Sequence, residues 1–460
     1  MTLIKSISGI RGTIGGAVDN GLTPIDAVKF AAAYGTWLQQ QYPGQRIKVV
    51  IGRDARISGP MIASLVQQTL VGLGIDIIDL GLSTTPTVEI AVPMEAAQGG
   101  IILTASHNPK QWNALKLLNA KGEFISGAEG EALMQIAADE AFNFAEVDDL
   151  GTITPNDTYL QKHIQAILDL PLIDKAAITA ANFKIVVDAV NSTGGTFVPA
   201  LLRALGVQEI TELYCEPTGH FPHNPEPLPE HLTELSGVVK AKGAHLGITV
   251  DPDVDRLALV CEDGSMFGEE YTLVAVADYV LTHTPGPTVS NLSSTRALRD
   301  ITEARSLRYE AAAVGEVNVV VKMKEIGAVI GGEGNGGIIY PALHYGRDSL
   351  VGIALFLSHL AHKNTSMTTL RASYPNYVIS KNKIDLAPTT NVDDILVQMA
   401  KKYAANEVDT TDGVKIYIEK EWVHLRKSNT EPIIRIYAES ASEEKATELA
   451  LRIIEEIKAF

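Results

Sequence analysis

Three aspartates occupy alternate positions in DPDVDR, residues 251–256, directly after the strand-like segment HLGITV. Because side chains alternate along an extended chain, we expect Asp251, Asp253 and Asp255 on one face. Three neighbouring carboxylates repel one another unless a hard divalent cation lies among them. An EF-hand would need glycine where Arg256 stands. The pattern predicts a magnesium site, although an Asp-x-Asp pair could also serve a phosphatase as its nucleophile.

A serine in TASHNP, residues 104–109, offers a second chemical group. Ser106 follows the apolar segment GGIILTA, and the Asn-Pro pair after it predicts a strand-to-loop turn that could direct the hydroxyl into a cleft. A lone serine often only caps such a turn. A hydrolase triad is disfavoured because G-x-S-x-G is absent and His107 is the adjacent residue. A phosphorylated Ser106 would supply the oxygen ligands that a magnesium ion prefers.

Two further loops have the composition of ligand-binding segments. GGEGNGG, residues 331–337, allows close backbone approach and offers Glu333 and Asn335 to sugar hydroxyls, although a glycine-rich hairpin has the same composition. RKSNTEPIIR, residues 426–435, combines fixed positive charge with short donors, and we expect no nearby acid apart from Glu431. This composition favours a site for a dianionic phosphate over a solvated loop. Its candidate donors are Arg426, Ser428, Asn429, Thr430 and Arg435.

Repeated βαβ patterns must position these loops. A β-branched strand, a helix and a second strand are indicated at residues 47–81, again at 183–215, and again at 287–315. They predict three similar α/β domains with mixed, mainly parallel sheets. The last segment differs, since VKIYIEKEWVHLRKS alternates like one antiparallel strand and SASEEKATELALRIIEEIKAF reads as a capped helix. The expected domains are 1–150, 151–256, 257–370 and 371–460, the last of them α+β.

Composition limits the possible partners and compartment. A net charge of −17 over 460 residues disfavours nucleic acid and anionic membrane surfaces as partners. Cys215 and Cys261 form no CxxC pair, which favours a reducing cytoplasm. The amino terminus lacks the apolar core of a secretory signal, and polar residues interrupt the longest apolar run, so we expect neither export nor a membrane span.

Taken together and in this order, the four motifs resemble those of the α-D-phosphohexomutase family over nearly the whole chain. TASHNP is similar to the family's phosphoserine loop, DPDVDR to its metal loop, GGEGNGG to its sugar loop and RKSNTEP to its phosphate loop. SGIRG with Arg11, GRDARISG with Arg53, TTP at 84–86, VDAVNSTGG and HNPEPLPEHL agree with the same family. The resemblance implies a heart-shaped arrangement of four domains around a central cleft, with one loop from each domain.

The resemblance also implies roles by position. Ser106 would be the phosphorylated residue and would hold Mg²⁺ together with the three aspartates, while Lys116 would be the general acid or base. Glu333, Gly334 and Asn335 would contact the sugar. The distal phosphate would be held by Arg426, Ser428, Asn429, Thr430 and Arg435. The implied catalytic set is Ser106, Lys116, Arg11, His107 and Arg256.

The implied activity is transfer of a phosphoryl group between the C6 and C1 oxygens of a hexose through a 1,6-bisphosphate, which would also act as an activator. GEGNGG followed by GRD favours glucosamine phosphate as the substrate; dual specificity for glucose and mannose phosphates is the alternative, and a metal-dependent sugar phosphatase or a silent sugar-phosphate sensor are more distant ones. We expect a small sugar phosphate as partner and a monomer or homodimer. Asn335 replaces the usual serine and the usual loop histidine is missing, so His344 becomes a candidate second proton carrier.

Overall fold

The computed structural model describes residues 2–6, 9–385, 391–427 and 433–459. The chain divides into two compact units. The first contains Met1–Thr272 and Gly336–Thr368, and the second contains Leu273–Asn335 and Thr369–Phe460.

The first unit begins with a seven-stranded mixed sheet. Its strands are β1 (Ile4–Ser6), β2 (Gly9–Thr13), β3 (Lys48–Arg53), β4 (Asp76–Leu82), β5 (Gly99–Leu103), β6 (Trp112–Leu118) and β7 (Ile153–Pro155). They lie in the order β1-β2-β6-β5-β3-β4-β7, with β5, β3, β4 and β7 parallel and the β1–β2, β2–β6 and β6–β5 pairs antiparallel. The helices of this part are α1 (Pro24–Gln41), α2 (Gly59–Gly72), α3 (Thr85–Met94) and α4 (Gly127–Asp139).

Local sequence explains these elements. A capping box between Thr23 and Asp26 begins α1, and Ser126 with Glu129 begins α4 in the same way. The predicted βαβ unit at 47–81 is confirmed by β3, α2 and β4. Because β3 and β5 are parallel neighbours, the loops that follow them leave the same edge of the sheet, and the amide of Asp54 donates to the carbonyl of Leu103 at 3.1 Å.

The second sheet of this unit has four strands in the order β11-β10-β8-β9. The elements are α5 (Tyr159–Leu168), α6 (Lys175–Ala181), β8 (Lys184–Asp188), α7 (Gly194–Ala204), β9 (Glu209–Leu213), α8 (Thr233–Lys242), β10 (Leu246–Val250) and β11 (Leu257–Cys261). Strands β10, β8 and β9 are parallel, and β11 returns antiparallel to β10 with Val250 opposite Leu257. DPDVDR is therefore the connection of a hairpin.

The prediction that residues 251–255 are extended is wrong. The segment is a turn, and Val254 adopts a left-handed φ of 65°. A tight connection between two paired strands brings its side chains together as effectively as alternation along a strand would.

The chain then enters the second unit along α9 (Glu269–His283). The elements that follow are β12 (Thr288–Asn291), α10 (Ala297–Glu303), β13 (Tyr309–Ala312), α11 (Glu316–Ile326) and β14 (Ile330–Glu333). Strand β12 pairs in parallel with both β13 and β14, which confirms the third predicted βαβ unit. The chain returns to the first unit with β15 (Gly337–Ile339) and α12 (Ser349–Lys363), and leaves it along α13 (Met367–Ala372).

The carboxyl-terminal part is an antiparallel sheet with helices, as predicted. Its elements are β16 (Val378–Asp385), α14 (Val392–Lys402), β17 (Glu407–Asp409), β18 (Val414–Ile418), β19 (Glu421–Lys427), β20 (Ile433–Ser440) and α15 (Glu443–Lys458). The strand order is β16-β20-β19-β18-β17. The capped helix is confirmed, since Ser442 accepts a hydrogen bond from the amide of Lys445 at 3.3 Å.

The single strand predicted for VKIYIEKEWVHLRKS is wrong. The segment is a hairpin in which Tyr417 pairs with Trp422 and Ile418 with Glu421. Glu419 takes a left-handed φ of 56° at the turn. Each strand alternates by itself, but the core residues shift by one position from Val414 and Ile416 to Val423 and Leu425, and this shift marks the turn.

The domain boundaries at 150, 256 and 370 stay predictions. The first sheet continues to Pro155 and the second to Cys261, in both cases a few residues beyond the expected boundary. Among the helices of the described ranges, none has both the length and the apolar character that a bilayer crossing requires.

Candidate active site

Ser106 and the three aspartates come together in the first unit. Ser106 lies in the loop after β5, with a left-handed φ of 49°, and its Oγ donates to Asp251 Oδ2 at 2.7 Å. Asp251, Asp253 and Asp255 are fully buried, and each offers an oxygen within 4.8 Å of the others. Residues from two separate sheets therefore share one small buried volume.

The oxygens of this cluster fit a hard divalent cation. Asp253 Oδ1 and Asp255 Oδ1 are buried and have no hydrogen-bond partner among the described residues. Burial, together with the charges of Asp255 and Asp253, raises the pKa of Asp251 well above its ordinary value. Hard oxygen ligands of this kind suit Mg²⁺, and a bound cation would relieve the repulsion that helps to raise this pKa. Asp251, Asp253 and Asp255 are thus the residues that would hold Mg²⁺.

Cationic and hydroxyl groups surround the aspartates. Lys116, on β6, places Nζ 2.6 Å from Asp253 Oδ2 and 3.2 Å from Asp255 Oδ2. Arg347 donates to Asp255 Oδ2 at 2.7 Å, and the Thr85 hydroxyl donates to Asp253 Oδ2 at 2.6 Å. These cations offset part of the negative charge of the aspartates.

These contacts set the protonation of two groups. Burial alone would lower the pKa of Lys116, but the carboxylates of Asp253 and Asp255 outweigh it and raise that pKa. Burial would likewise raise the pKa of Asp255, and the charges of Arg347, Lys116 and Arg256 outweigh it and lower the value. In this arrangement Lys116 is an ammonium and Asp255 a carboxylate.

The remaining catalytic candidates lie on the serine and metal loops or next to them. Arg11, on β2, donates to Asn108 Oδ1 at 3.0 Å. Arg256 has its Nη1 3.4 Å from Glu226 Oε1, and His107 Nε2 is 3.9 Å from the same oxygen.

The surroundings of His107 favour its neutral form. Burial, with the positive charge of Arg256, lowers the pKa of His107 to about 2. The neutral ring of His107 can accept a hydrogen bond, and it lies beside Glu226. The protonated, cationic ring is therefore disfavoured near neutral pH.

His344, the candidate second proton carrier, lies within a buried network of the first unit. Its Nε2 is 3.3 Å from Asp348 Oδ2 and its Nδ1 is 3.5 Å from Glu89 Oε2. Asp348 Oδ2 also lies 3.0 Å from His163 Nε2. Both ring nitrogens of His344 thus face carboxylates, and its role as a proton carrier stays a prediction.

The predicted sugar loop lies in the second unit. Glu333 ends β14 and is buried; its Oε1 accepts from Asn291 Nδ2 at 2.8 Å and from the amide of Gly315 at 3.2 Å. The amide of Gly334 donates to Ser294 Oγ at 2.9 Å, and Asn335 follows in the turn. The loop is held in place by neighbouring polar groups of its own unit.

The predicted phosphate segment is described only in part, since Ser428, Asn429 and Thr430 lie outside the described residues. Arg426 and Arg435 are directly opposite each other on β19 and β20, and Arg435 is exposed. The expectation that Glu431 is the one nearby acid is wrong. Arg426 Nε lies 2.9 Å from Asp412 Oδ2, because the turn before β18 brings that aspartate alongside β19.

Three residues of the site were missed by sequence reasoning: Thr85, Arg347 and Arg56. Thr85 belongs to TTP and Arg347 to GRD, but their partner aspartates are 168 and 92 positions away along the chain. In GRDARISG the conspicuous residue was Arg53, whose Nη1 donates to the carbonyl of Asp54 at 3.2 Å. Arg56 is the residue of that motif that reaches the serine loop.

Comparison with known proteins agrees with this arrangement. Residues 3–144, 158–264 and 268–377 match the α/β/α domains I, II and III of the family described as phosphoglucomutase/phosphomannomutase, and residues 387–456 match its C-terminal domain. The phosphoglucomutase/phosphomannomutase of Thermococcus kodakarensis is 34% identical over 452 residues, which is 97% of this chain and 98% of that protein.

Two further comparisons concern specificity and fold. The phosphoglucosamine/phosphogalactosamine mutase of Sulfurisphaera tokodaii is 31% identical, over 94% of this chain and 95% of that protein, and the name phosphoglucosamine mutase recurs among other archaeal relatives. A crystal structure of a phosphoglucomutase/phosphomannomutase family protein from Burkholderia thailandensis superposes with a TM-score of 0.85 at 27% identity, covering 100% of this chain and 98% of that one.

Proposed function

The chain belongs to the phosphoglucomutase/phosphomannomutase family and is a phosphohexomutase, which is an isomerase; from this premise we propose that Ser106 carries the phosphoryl group between the C6 and C1 oxygens of a hexose phosphate. The observation that carries the proposal is the Ser106 hydroxyl 2.7 Å from Asp251, among three buried carboxylates. Acidic groups around a nucleophile do not suit acyl transfer, because that reaction needs hydrogen-bond donors to stabilise an oxyanion. Such groups suit phosphoryl transfer assisted by a divalent cation.

The reaction consists of two transfers through one centre. In the first, the bond between phosphorus and Ser106 Oγ breaks, a bond to the free sugar hydroxyl forms, and a hexose 1,6-bisphosphate results. In the second, the bisphosphate has turned round, and its other phosphoryl group returns to Ser106 Oγ. The proton lost by the sugar hydroxyl in the first transfer is restored to the sugar oxygen in the second, so the enzyme ends as it began.

Lys116 is the proposed proton carrier and Arg347 a fixed cation of the site. A Mg²⁺ ion held by Asp251, Asp253 and Asp255 would neutralise their charge and that of the phosphoryl oxygens, so that Lys116 would hold its proton less tightly. Lys116 lies within 3.2 Å of two of these aspartates, near the serine that receives the phosphoryl group. Arg347, held at Asp255, keeps positive charge in the site at every stage.

The remaining proposed roles concern binding. Arg11, Arg256 and His107 would orient the transferring group, and Glu333, Gly334 and Asn335 would contact sugar hydroxyls. Arg426 and Arg435 would hold the phosphate that does not react. We also propose hexose 1,6-bisphosphate as an activator, because bisphosphate lost from the enzyme leaves Ser106 without its phosphoryl group.

Glucosamine phosphate is the proposed substrate. The names of the archaeal relatives and the GEGNGG loop followed by GRD support this choice. The alternative is dual action on glucose and mannose phosphates, which is the name carried by the Thermococcus kodakarensis relative. A single substituent at C2 distinguishes these sugars, so the ratio of kcat/KM values measures the preference directly.

The test is a steady-state assay on glucosamine, glucose and mannose 6-phosphates with Mg²⁺ and a trace of the matching 1,6-bisphosphate. We expect formation of the 1-phosphate with the highest kcat/KM for glucosamine. Inorganic phosphate is followed in the same samples. Stoichiometric phosphate release without any 1-phosphate would favour the metal-dependent phosphatase and contradict the proposal.

A further inference from the structure

The backbone of the serine loop is held in an uncommon conformation. Ser106 has a φ of 49°, in the left-handed region that residues other than glycine rarely adopt. Such a conformation persists only where the surrounding groups determine it. Its side chain is also buried, with 4% exposure, so the direction of Oγ depends on the two peptide groups that flank the residue.

Arg56 holds the peptide group on the carbonyl side of Ser106. Its side chain is fully buried, and Nε donates to Asp54 Oδ2 at 2.9 Å. The four remaining N–H groups of the guanidinium donate to backbone carbonyls of the serine loop and the start of β6. These carbonyls belong to Ser106, to Asn108 at 2.7 Å, to Pro109 at 2.8 Å and to Trp112 at 3.1 Å.

These contacts leave Arg56 no means of binding a substrate. A guanidinium has five N–H donors, and here each one is directed to an acceptor within the protein. The ring of Phe221 lies beneath the guanidinium, 5.2 Å from its central carbon. Any effect of Arg56 on the reaction must therefore pass through the loop that it holds.

The same ion pair reaches the amide side of Ser106. Asp54 Oδ2 accepts from the hydroxyl of Thr104 at 2.6 Å, and that hydroxyl accepts from the amide of Ser106 at 2.9 Å. Asp54 and Arg56 thus hold both peptide groups that flank the serine, one directly and the other through Thr104.

The segment that contains this pair also contacts the metal loop. Ser192 Oγ accepts from the amide of Ala55 at 3.3 Å and donates to the carbonyl of Pro252 at 2.7 Å. Ala55 lies between Asp54 and Arg56, and Pro252 lies between two of the aspartates. One short segment therefore touches both loops whose separation decides where Ser106 Oγ meets the carboxylates.

We infer that Arg56 is the positioning residue for Ser106 and acts together with Asp54: the two side chains fix both flanking peptide groups and so aim Oγ at the aspartates. The inference rests on the proposed function, since it assigns Arg56 a part in phosphorylation of that serine.

The main test is Arg56→Lys, assayed beside the wild-type enzyme. Lysine keeps the charge but has three donors and no planar fork, so it cannot hold four carbonyls and a carboxylate together. Displacement of a reacting group by about 1 Å can cost about 100-fold in rate, and we expect kcat to fall by that order with KM little changed. The rate at which glucose 1,6-bisphosphate phosphorylates the protein, followed by intact mass, should fall in parallel.

Arg46→Lys is the matched control. Arg46 also pairs with an aspartate, Asp76 at 2.9 Å, and donates to two backbone carbonyls of the same unit. These carbonyls belong to residues 149 and 150, outside the serine loop. We expect a lower unfolding midpoint with unchanged kcat.

Thr104→Val keeps the test decisive if Arg56→Lys does not fold. Valine has the same shape and removes the one hydroxyl that links Asp54 to the Ser106 amide. We expect kcat to fall about tenfold, again with KM little changed. Folded variants that keep kcat within about twofold of wild type, or that lose activity only in proportion to their unfolded fraction, would overturn the inference. Failure of the proposed function gives a different result, because the wild-type enzyme itself would then not isomerise a sugar phosphate. In that case the inference about Arg56 would also be overturned.

Discussion

Two arginines of this protein each pair with an aspartate at 2.9 Å, and they do so in opposite settings. The side chain of Arg56 in the first unit is 0% exposed, whereas that of Arg426 in the second is 23% exposed. Arg56 directs four of its donors to backbone carbonyls and the fifth to Asp54. Arg426 pairs with Asp412 at the edge of the segment proposed to hold phosphate.

The contrast distinguishes an arginine that holds the serine loop in place from an arginine proposed to bind phosphate. A buried ion pair that also satisfies backbone carbonyls is costly to break, because each group left behind would be buried and unpaired. A partly exposed pair that holds no backbone carbonyls is worth less, so an incoming phosphate can replace its carboxylate at smaller cost. We therefore expect changes near Ser106 to lower kcat and changes near Arg426 to raise KM.

The largest effect is expected at the serine itself. Ser106→Ala removes the atom that the first region positions, and we expect kcat to fall by at least about 10⁴-fold. The coupled mutase assay checks this, with Ser265→Ala, in an exposed turn, as the control. Appreciable turnover by Ser106→Ala would contradict the proposal that Ser106 carries the phosphoryl group.

The next largest losses of activity are expected from metal removal and from the loss of one aspartate. Incubation with EDTA is expected to abolish turnover, and added Mg²⁺ to restore it. Asp253→Asn should lower kcat by about 10²–10³-fold and raise the Mg²⁺ concentration needed for half activity. Asp263→Asn, in the exposed turn capped through Ser265, is the matched control. An enzyme indifferent to EDTA would contradict the ligand assignment.

Arg426→Met sharpens the comparison from the other side. Loss of one charged contact to phosphate is expected to raise KM about tenfold and to leave kcat within about twofold, because that contact is made equally in ground and transition states. Lys427→Met, whose ammonium pairs with Asp393 at 2.7 Å, is the neighbouring control. A fall in kcat with unchanged KM would mean that Arg426 affects the reaction step as Arg56 does, rather than phosphate binding, and would contradict the contrast.

The smallest effect concerns stability and acid. The hydrogen bond from Arg46, the main cause, lowers the pKa of Asp76 to about 2. A carboxyl with a depressed pKa contributes stability that is present above its unfolded value near 4 and is lost as the pH falls toward about 2. After discounting for solvent screening the contribution is about 1 kcal/mol. The difference between the unfolding midpoints of wild type and Arg46→Gln should be larger at pH 5 than near pH 2, where only the lost hydrogen bonds to the carbonyls of residues 149 and 150 still contribute. A difference that does not change with pH would contradict this origin.

The residues that sequence reasoning found share one property. Ser106 and the three aspartates stand in short contiguous motifs, and their chemistry follows from residue type and spacing alone. The aspartate cluster was nevertheless found through a wrong local geometry, since residues 251–255 form a turn. The repulsion of three adjacent carboxylates holds in either conformation, which is why the metal site survives the correction.

The residues that it missed owe their roles to topology. Arg347 lies between β15 and α12, and Thr85 begins α3; both meet the aspartates only in the folded chain, and nothing near them in sequence indicates those partners. Asp412 meets Arg426 because β18 and β19 form a hairpin, and the sequence pattern predicted a single strand there. Arg56 looks like any polar residue of a glycine-rich motif, and its burial against four carbonyls becomes visible only in the folded chain.

The most direct measurement of the central claim is the mass of the peptide that contains TASHNP after the enzyme has been incubated with a hexose 1,6-bisphosphate and Mg²⁺. The account predicts the added mass of one phosphoryl group, located on Ser106 by fragmentation and lost again when excess hexose monophosphate is supplied. A peptide that never gains this mass, in an enzyme that still isomerises its substrate, would contradict it.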